Sequence, residues 1–104
     1  MKRLTECEEM IMYVIWCSDA RLNLPQIVKQ VNARYAKNWA MQTVSTFLAR
    51  LRKKKVIVAE RNGRTFYYEA VMTKDTYTKK VLRDLCEFWF ESDTDKMINA
   101  IEEK

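Results

Sequence analysis

Apolar residues recur every three or four positions in five stretches of the chain, a spacing typical of helices that bury one face. We expect helices from Thr5 to about Ser18, from Asn23 to Tyr35, within Asn38–Lys55, and at residues 75–90 and 94–103. The length of the chain, 104 residues, suits one small domain with an appended helical element, because it can bury one modest core.

Two of these helices are predicted to start at residues that can cap them. Thr5 is followed three residues later by Glu8, the arrangement of a capping box, in which hydroxyl and carboxylate each accept a backbone N–H. Asn23 can accept from the first turn of the second helix, where Pro25 is tolerated because an N–H is spare. In contrast, Ala40 stands at the expected start of the third helix and is a weaker cap by about 1 kcal/mol.

The third predicted helix is the stretch around which the chain is organised. Val44, Phe47, Leu48 and Leu51 form one apolar stripe, whereas the opposite face carries short polar and then basic side chains. No carboxylate occurs within Asn38–Lys55, although an ordinary surface helix pairs Glu with Lys. Such a helix suits insertion into a DNA major groove. The alternative is a surface helix whose basic end is favoured by the helix dipole.

Runs of β-branched and aromatic residues predict a β-hairpin after the third helix. Its strands are expected at residues 56–60 and 65–69, with Arg61–Asn62–Gly63–Arg64 between them, and Leu22 is expected to be a one-residue strand. Asn-Gly between such runs favours a type I′ turn, which needs positive φ at both central positions. The two arginines either contact phosphate at the rim of a DNA groove or are charges that keep an edge strand soluble.

Two short helices, a turn and a polar-faced third helix form a helix-turn-helix, and the hairpin after them makes it a winged helix. The predicted fold is therefore α+β and mostly helical. Residues 1–71 are expected to form a winged helix-turn-helix DNA-binding domain, with three helices plus a β-hairpin wing. Residues 72–104 are expected to form C-terminal dimerisation helices.

The helix expected at residues 75–90 carries two apolar stripes. One stripe can pack on the winged helix, and little of so short a chain is left to cover the other. Exposed apolar patches usually mark an interface, and interfaces favour Trp, Phe and Met. The alternative is that the last helix folds back over this stripe within one chain. The residues predicted at a homodimer interface are Leu82, Cys86, Trp89, Phe90, Met97, Ile98 and Ile101.

Charge is unevenly distributed along the chain. Residues 1–70 contain 13 Lys and Arg against 6 Asp and Glu, whereas residues 71–104 contain 6 against 8. A basic first part followed by a mildly acidic second part is expected of a polyanion-binding module joined to a region that binds protein.

The composition excludes several kinds of chemistry. The chain has no His, and its three Cys lack CxxC spacing, so a His base, a Ser–His or Cys–His pair and a zinc site are not expected. A single Gly leaves no Gly-rich phosphate loop. We therefore expect no enzyme, no metal site and no cofactor. No apolar run approaches the length of a membrane span and the N-terminus lacks a signal-peptide pattern, so a cytoplasmic protein without membrane contact is expected.

Three segments of the chain resemble the penicillinase repressor family of bacterial transcription regulators (BlaI/MecI type): LTECEEMIMYVIW, LPQIVKQV and TVSTFLARLRKKKVIVAERNGRTFYYEA. Copper-responsive (CopY-type) relatives belong to the same group, but their cysteine-rich metal motif is absent here. The resemblance covers about residues 4–90. It implies a DNA-binding repressor that dimerises through C-terminal helices. In the β-lactam branch it also implies a regulatory protease that relieves repression, with a cleavage point that would fall near Asn99–Ala100.

The function predicted from the sequence is a sequence-specific repressor that binds an inverted-repeat operator in double-stranded DNA as a homodimer. The alternative is a winged-helix protein-interaction module without sequence-specific DNA binding. The residues predicted to read bases are Gln42, Thr43, Ser45 and Thr46. The residues predicted to contact phosphate are Trp39, Arg50, Lys53, Lys54, Arg61 and Arg64. For Trp39, burial in the core is the alternative.

Overall fold

The computed structural model describes residues 3–103, and this part of the chain forms five helices and three strands. Their order is α1 (Glu6–Cys17), β1 (Leu22–Asn23), α2 (Leu24–Tyr35), α3 (Met41–Lys53), β2 (Ile57–Asn62), β3 (Thr65–Ala70), α4 (Lys74–Phe90) and α5 (Thr94–Glu102). The predicted class, α+β and mostly helical with a winged helix, is confirmed. Each predicted helix is present, and the third begins at Met41, directly after Ala40, where its start was expected.

The chain divides into two compact units, one ending at Thr73 and the other beginning at Lys74. This division lies two residues after the boundary predicted between residues 71 and 72. The first unit contains α1–α3 and the sheet, and the second contains α4 and α5. That the second unit serves dimerisation stays a prediction.

Local side-chain caps explain where α1 and α2 begin. The Thr5 hydroxyl accepts from the Glu8 N–H at 3.3 Å, and a Glu8 carboxylate oxygen accepts from the Thr5 N–H at 2.8 Å. Asn23 and Gln26 form the same reciprocal pair at 3.0 and 2.9 Å. The predicted caps of both helices are confirmed, and α2 has a full capping box because glutamine can replace glutamate at the third position. Ala40 has the extended backbone of an N-cap but no side-chain oxygen to accept the N–H groups of α3.

The core of the first unit is built from the apolar faces of its three helices and the ends of its strands. Each fully buried Leu, Ile or Val contributes about 1.5–3 kcal/mol relative to leaving it exposed. This core is what fixes the inner face of α3, and so decides which of its residues point outwards. The buried side chains are Leu4, Ile11, Met12, Val14, Ile15, Leu22, Ile27, Val31, Val44, Leu48, Leu51, Val56 and Ile57.

The three strands form an antiparallel sheet in the order β1-β3-β2. β1 has two residues instead of the expected one, since both Leu22 and Asn23 pair with β3. At the tip of the wing, Asn62 is the last residue of β2 and pairs with Thr65. The turn residues are therefore Gly63 and Arg64, and it is Gly63 that takes a positive φ, of 68°.

This geometry corrects the predicted turn. A positive φ at the first central position, occupied by Gly, is the pattern of a type II′ turn. The prediction of a type I′ turn centred on Asn62–Gly63 is wrong because the strand pairing extends one residue further along β2 than the Asn-Gly signal indicated.

A Schellman motif joins α3 to the wing. The Lys55 N–H donates to the Arg52 carbonyl at 3.0 Å, and the Val56 N–H donates to the Leu51 carbonyl at 3.3 Å. Val56 and Leu51 are both buried, which supplies the apolar contact that accompanies this motif. Lys55 occupies the left-handed position with φ 64°, where glycine is usual. The joint therefore turns the chain sharply from the end of α3 into β2.

In the second unit, α4 and α5 are joined by a short turn. Glu91 and Ser92 both have positive φ, 51° and 65°, and reverse the chain. The Asp93 side chain then accepts from the Lys96 N–H at 3.1 Å and caps α5. The two helices pack against each other as a hairpin.

Candidate nucleic-acid interface

The outer face of α3 is exposed and polar. Gln42, Thr43 and Thr46 are exposed, and Ser45 is half-buried. The Thr46 hydroxyl donates to the Gln42 carbonyl at 3.0 Å, and its oxygen can still accept a hydrogen bond. Amide, hydroxyl and methyl groups are the kinds of groups that read base edges in a major groove.

Positive side chains continue this surface at the end of α3. Arg50 is exposed, and its guanidinium lies 5.7 Å from the centre of the Phe47 ring. Arg52 and Lys53 are also exposed in the last turn. Arg52 was not among the predicted phosphate contacts, although it belongs to the same basic run. None of the 13 residues of α3 is acidic, so every charged side chain of this helix is positive.

The wing presents two further arginines. Arg64 is exposed within the turn, next to Gly63. Arg61 is also exposed, and its Nε–H donates to the Gly63 carbonyl at 2.8 Å while its guanidinium lies 5.9 Å from the Phe66 ring centre. The hydrogen bond orients Arg61 along the wing tip rather than away from it.

A cleft lies between α3, the start of α2 and the wing. Its walls include Ser45 from α3, Pro25 from α2, and Arg64 and Phe66 from the wing. Phe66 is 46% exposed, which is unusual for a large aromatic residue on a small sheet. Phe66 was not among the residues predicted from the sequence, although the aromatic run of β3 contains the signal. The cleft brings one predicted base-reading residue and one predicted phosphate contact to the same opening.

Trp39 lies just ahead of α3 and is half-buried. Its ring packs on Phe47, with 5.3 Å between ring centres and a tilt of 46°. The Asn32 side chain holds its backbone from both sides, accepting from the Trp39 N–H at 2.9 Å and donating to its carbonyl at 3.0 Å. The residue therefore anchors the turn between α2 and α3 and keeps part of its ring open to solvent.

Lys54 differs from the other predicted phosphate contacts, because its ammonium already has a partner. Lys54 Nζ lies 2.6 Å from Glu8 Oε1, whose side chain is only 1% exposed. Burial raises the pKa of Glu8, but the hydrogen bonds from Lys54 and from the Thr5 N–H outweigh it, so its pKa lies below the ordinary value. The carboxylate is thus held ionised, and it holds Lys54 in turn. The signal in the sequence was the position of Glu8, four residues after Leu4 and three before Ile11, on the apolar stripe of α1.

The second unit exposes large apolar side chains. Exposed fractions are 52% for Leu82, 68% for Trp89, 44% for Ile98 and 72% for Ile101. The other predicted interface residues, Cys86, Phe90 and Met97, are half-buried. Although α5 packs against α4, it leaves an open apolar groove between them, lined by Leu82, Cys86, Met97, Ile98 and Ile101 among others. The fold-back of the last helix therefore does not cover the stripe.

Phe88 shares the exposure of Trp89 but not its place in the predicted interface. Its side chain is 73% exposed, and its ring meets the Trp89 ring edge-on with 4.7 Å between centres. Adjacent side chains leave a helix about 100° apart, and the Phe88 and Trp89 rings meet with the edge of one against the face of the other.

Among residues 3–103, no group of three or more His, Cys, Asp or Glu is placed to hold a metal ion. In the same range, none of the helices is both long enough and apolar enough to cross a membrane.

Comparison with solved structures finds similarity to a DNA-binding protein. The solution structure of the DNA-binding domain of the repressor BlaI matches with a TM-score of 0.60 and 28% sequence identity, covering 74% of this chain and 94% of that domain. The crystal structure of NolR from Sinorhizobium fredii matches with a TM-score of 0.46 and 15% identity, covering 86% of this chain and 97% of that one. No curated protein sequence matches the chain.

The family comparison extends over both units. The family model for the penicillinase repressor matches residues 4–104, nearly the whole chain. Proteins of this family are regulators that bind DNA and are not enzymes, which agrees with the expectation drawn from the composition. The chain belongs to the penicillinase repressor family and is a DNA-binding transcriptional repressor.

Proposed function

We propose that this repressor binds an inverted-repeat operator as a homodimer in the cytoplasm. The observation that carries the proposal is the outer surface of the winged unit, where the polar and acid-free face of α3 and the arginines of the wing are both exposed. A positive surface with a small polar centre suits a duplex, because positive side chains meet phosphates while short polar side chains meet base edges.

The residues of α3 and the wing divide into two roles in this proposal. Base readout falls to Gln42, Thr43, Ser45 and Thr46, which lie in the N-terminal half of the helix. Phosphate contact falls to Trp39, Arg50, Lys53, Arg61 and Arg64. We leave Lys54 out of this group, since its ammonium is bound to a buried carboxylate.

Dimerisation is assigned to the second unit. The two recognition helices of such a dimer must lie about 34–36 Å apart, or a multiple of that distance, to reach successive turns of DNA. The exposed apolar side chains of α4 and α5 supply a surface on which two chains can meet symmetrically. Pairing makes the second half-site contact effectively intramolecular and so raises operator affinity.

Relief of repression by a protease fits the same arrangement, because cutting the second unit would remove the dimer contact. Asn99 and Ala100 are exposed but lie inside α5. Cleavage there requires local unwinding of the helix, which short terminal helices undergo at low cost. Because Ile98 and Ile101, on either side of this site, belong to the proposed interface, pairing of two chains opposes the unwinding. We therefore expect cleavage to be slower in the dimer than in the monomer.

The test is enrichment of duplexes from a random pool by the full-length protein. We expect two half-sites related by twofold symmetry, with centres about 34–36 Å apart or a multiple. Gln42→Ala and Thr46→Ala should each cost about 1–3 kcal/mol on the enriched duplex and little on a scrambled one. An equal loss on both duplexes would remove these residues from base readout, and failure to enrich any sequence would favour the protein-interaction module.

The contribution of the wing is tested by the salt dependence of binding. Arg64→Ala should weaken binding to every duplex and flatten the plot of log affinity against log salt by about one unit. Lys79→Ala is the matched control, because Lys79 is an exposed cation on α4 that pairs with Asp75 at 3.0 Å. An unchanged slope for Arg64→Ala would remove the wing from the interface.

A further inference from the structure

Glu8 and Lys54 form an ion pair that connects α1 to the joint between α3 and the wing. Lys54 Nζ donates to Glu8 Oε1 at 2.6 Å, and the two residues are 46 positions apart in the chain. The Glu8 side chain is 1% exposed and that of Lys54 is 31% exposed. The pair is therefore a tertiary contact whose acidic half belongs to the core.

Glu8 is itself firmly held. The same oxygen that meets Lys54 accepts from the Thr5 N–H at 2.8 Å, so the carboxylate belongs to the capping box of α1. Its second oxygen, Oε2, is buried and has no hydrogen-bond partner among the described residues. A buried carboxylate in this state depends strongly on the Lys54 ammonium beside it.

Lys54 lies at the point where the two DNA-contacting elements meet. It is the C-cap residue of α3, and its N–H donates to the Arg50 carbonyl at 3.0 Å. The next residue, Lys55, takes the left-handed conformation that turns the chain towards β2. The Lys54 side chain therefore ties the end of α3, where the wing begins, to α1.

We infer that the Glu8–Lys54 ion pair positions the recognition helix and the wing for operator binding, and that Lys54 acts through Glu8 rather than through a DNA phosphate. The inference rests on the proposed function, since it concerns how α3 and the wing are positioned on the same DNA-binding surface. Base contacts depend on that positioning, whereas non-specific attraction depends mainly on the number of positive charges. Losing the pair should therefore reduce affinity for an operator more than affinity for unrelated DNA.

The experiment measures binding of the full-length protein to a duplex enriched by the wild type from a random pool, and to a scrambled duplex. Glu8→Gln keeps an oxygen for the Thr5 N–H but removes the charge. Lys54→Met removes the ammonium and keeps the apolar stem. Both variants and the double variant are measured at several salt concentrations, at a temperature where circular dichroism shows each to be fully folded.

We expect each single variant to lose about tenfold in affinity for the enriched duplex. This loss is comparable in size to the interaction energies measured between contacting residues. The double variant should bind the enriched duplex no less tightly than the single variant that binds it less tightly. The slope of log affinity against log salt should stay unchanged in all three variants. Lys53→Met is the matched control, made on the residue next to Lys54. Because Lys53 is exposed, its loss should flatten the salt slope by about one unit on both duplexes.

Two results would overturn the inference. If Lys54→Met behaves like Lys53→Met, Lys54 contacts phosphate. If Glu8→Gln and Lys54→Met lower the melting temperature but leave both affinities unchanged, the pair only stabilises the fold. Should Lys54→Met not fold, Glu8→Gln and Lys54→Arg decide, and Lys54→Arg should retain affinity within about twofold because it keeps the charge. Failure of the wild type to enrich any duplex would instead refute the proposed function.

Discussion

Trp89 provides the sharpest test of the proposed dimer interface. Its side chain is 68% exposed in the single chain, which leaves roughly 170 Å² of a Trp side chain of about 250 Å² in contact with water. Complete burial of that area against a second chain is worth at most about 4 kcal/mol, at roughly 25 cal/mol per Å². Because a symmetric interface contains the residue twice, Trp89→Ala should weaken dimerisation by about 3 kcal/mol when only about a third of that area is covered.

The matched control is Phe88→Ala, made on the adjacent residue of α4. Phe88 is as exposed as Trp89 and touches it, but lies outside the predicted interface. It should change the dimerisation free energy by no more than about 0.5 kcal/mol, as exposed substitutions usually do. The two variants therefore separate loss of an interface contact from loss of an exposed aromatic residue.

The assay is sedimentation equilibrium of the full-length protein over a wide range of concentrations. Trp89→Ala should raise the dimer Kd by about a hundredfold or more, while Phe88→Ala should raise it less than about threefold. Equal effects, or a larger effect of Phe88→Ala, would refute this placement of the interface. A fragment ending at Thr73 should be monomeric, and it keeps the Met72 carbonyl to which the Trp16 indole N–H donates at 2.8 Å.

Four further predictions concern stability. Ala40→Ser should raise the unfolding free energy by about 1 kcal/mol, measured by urea unfolding, because Ala40 already has the backbone of an N-cap. Lys55→Gly should raise it by about 0.5–1 kcal/mol in the same assay, since φ is 64° there. Gly63→Ala should lower it by about 1–2 kcal/mol, and Gly63→Asn by less, through strain alone, because nothing lies within 4 Å of an added Cβ. The pKa of Glu8 lies below its ordinary value of 4.5, so its stabilising effect is present above that pH and is lost as the pH falls through the folded-state pKa. Urea unfolding between about pH 6 and about pH 3 should therefore show a steeper loss for the wild type than for Glu8→Gln, and equal slopes would contradict this account.

Much of the candidate interface could be predicted because its signals are local. The polar face of α3 follows from the spacing of Val44, Leu48 and Leu51, which are all buried. The wing could be located because its two strands are close in sequence, so their pairing needs only a short turn. Its register was harder to predict, since Asn-Gly suits two turn types and only the pairing of Asn62 with Thr65 decides between them.

The amino-acid sequence alone determined the helices, their caps and the acid-free surface of α3, since these depend on residues within about four positions of one another. Only the tertiary structure decided the partner of Lys54. Glu8 is 46 residues away, and the two side chains meet only because α1 packs on the end of α3. It also decided which apolar residues of α4 and α5 remain uncovered, since helical spacing gives the direction of a side chain but not what lies opposite it. The Lys54 ammonium, predicted from the sequence to contact phosphate, lies beside a buried carboxylate, because such a carboxylate is stabilised by a cation nearby.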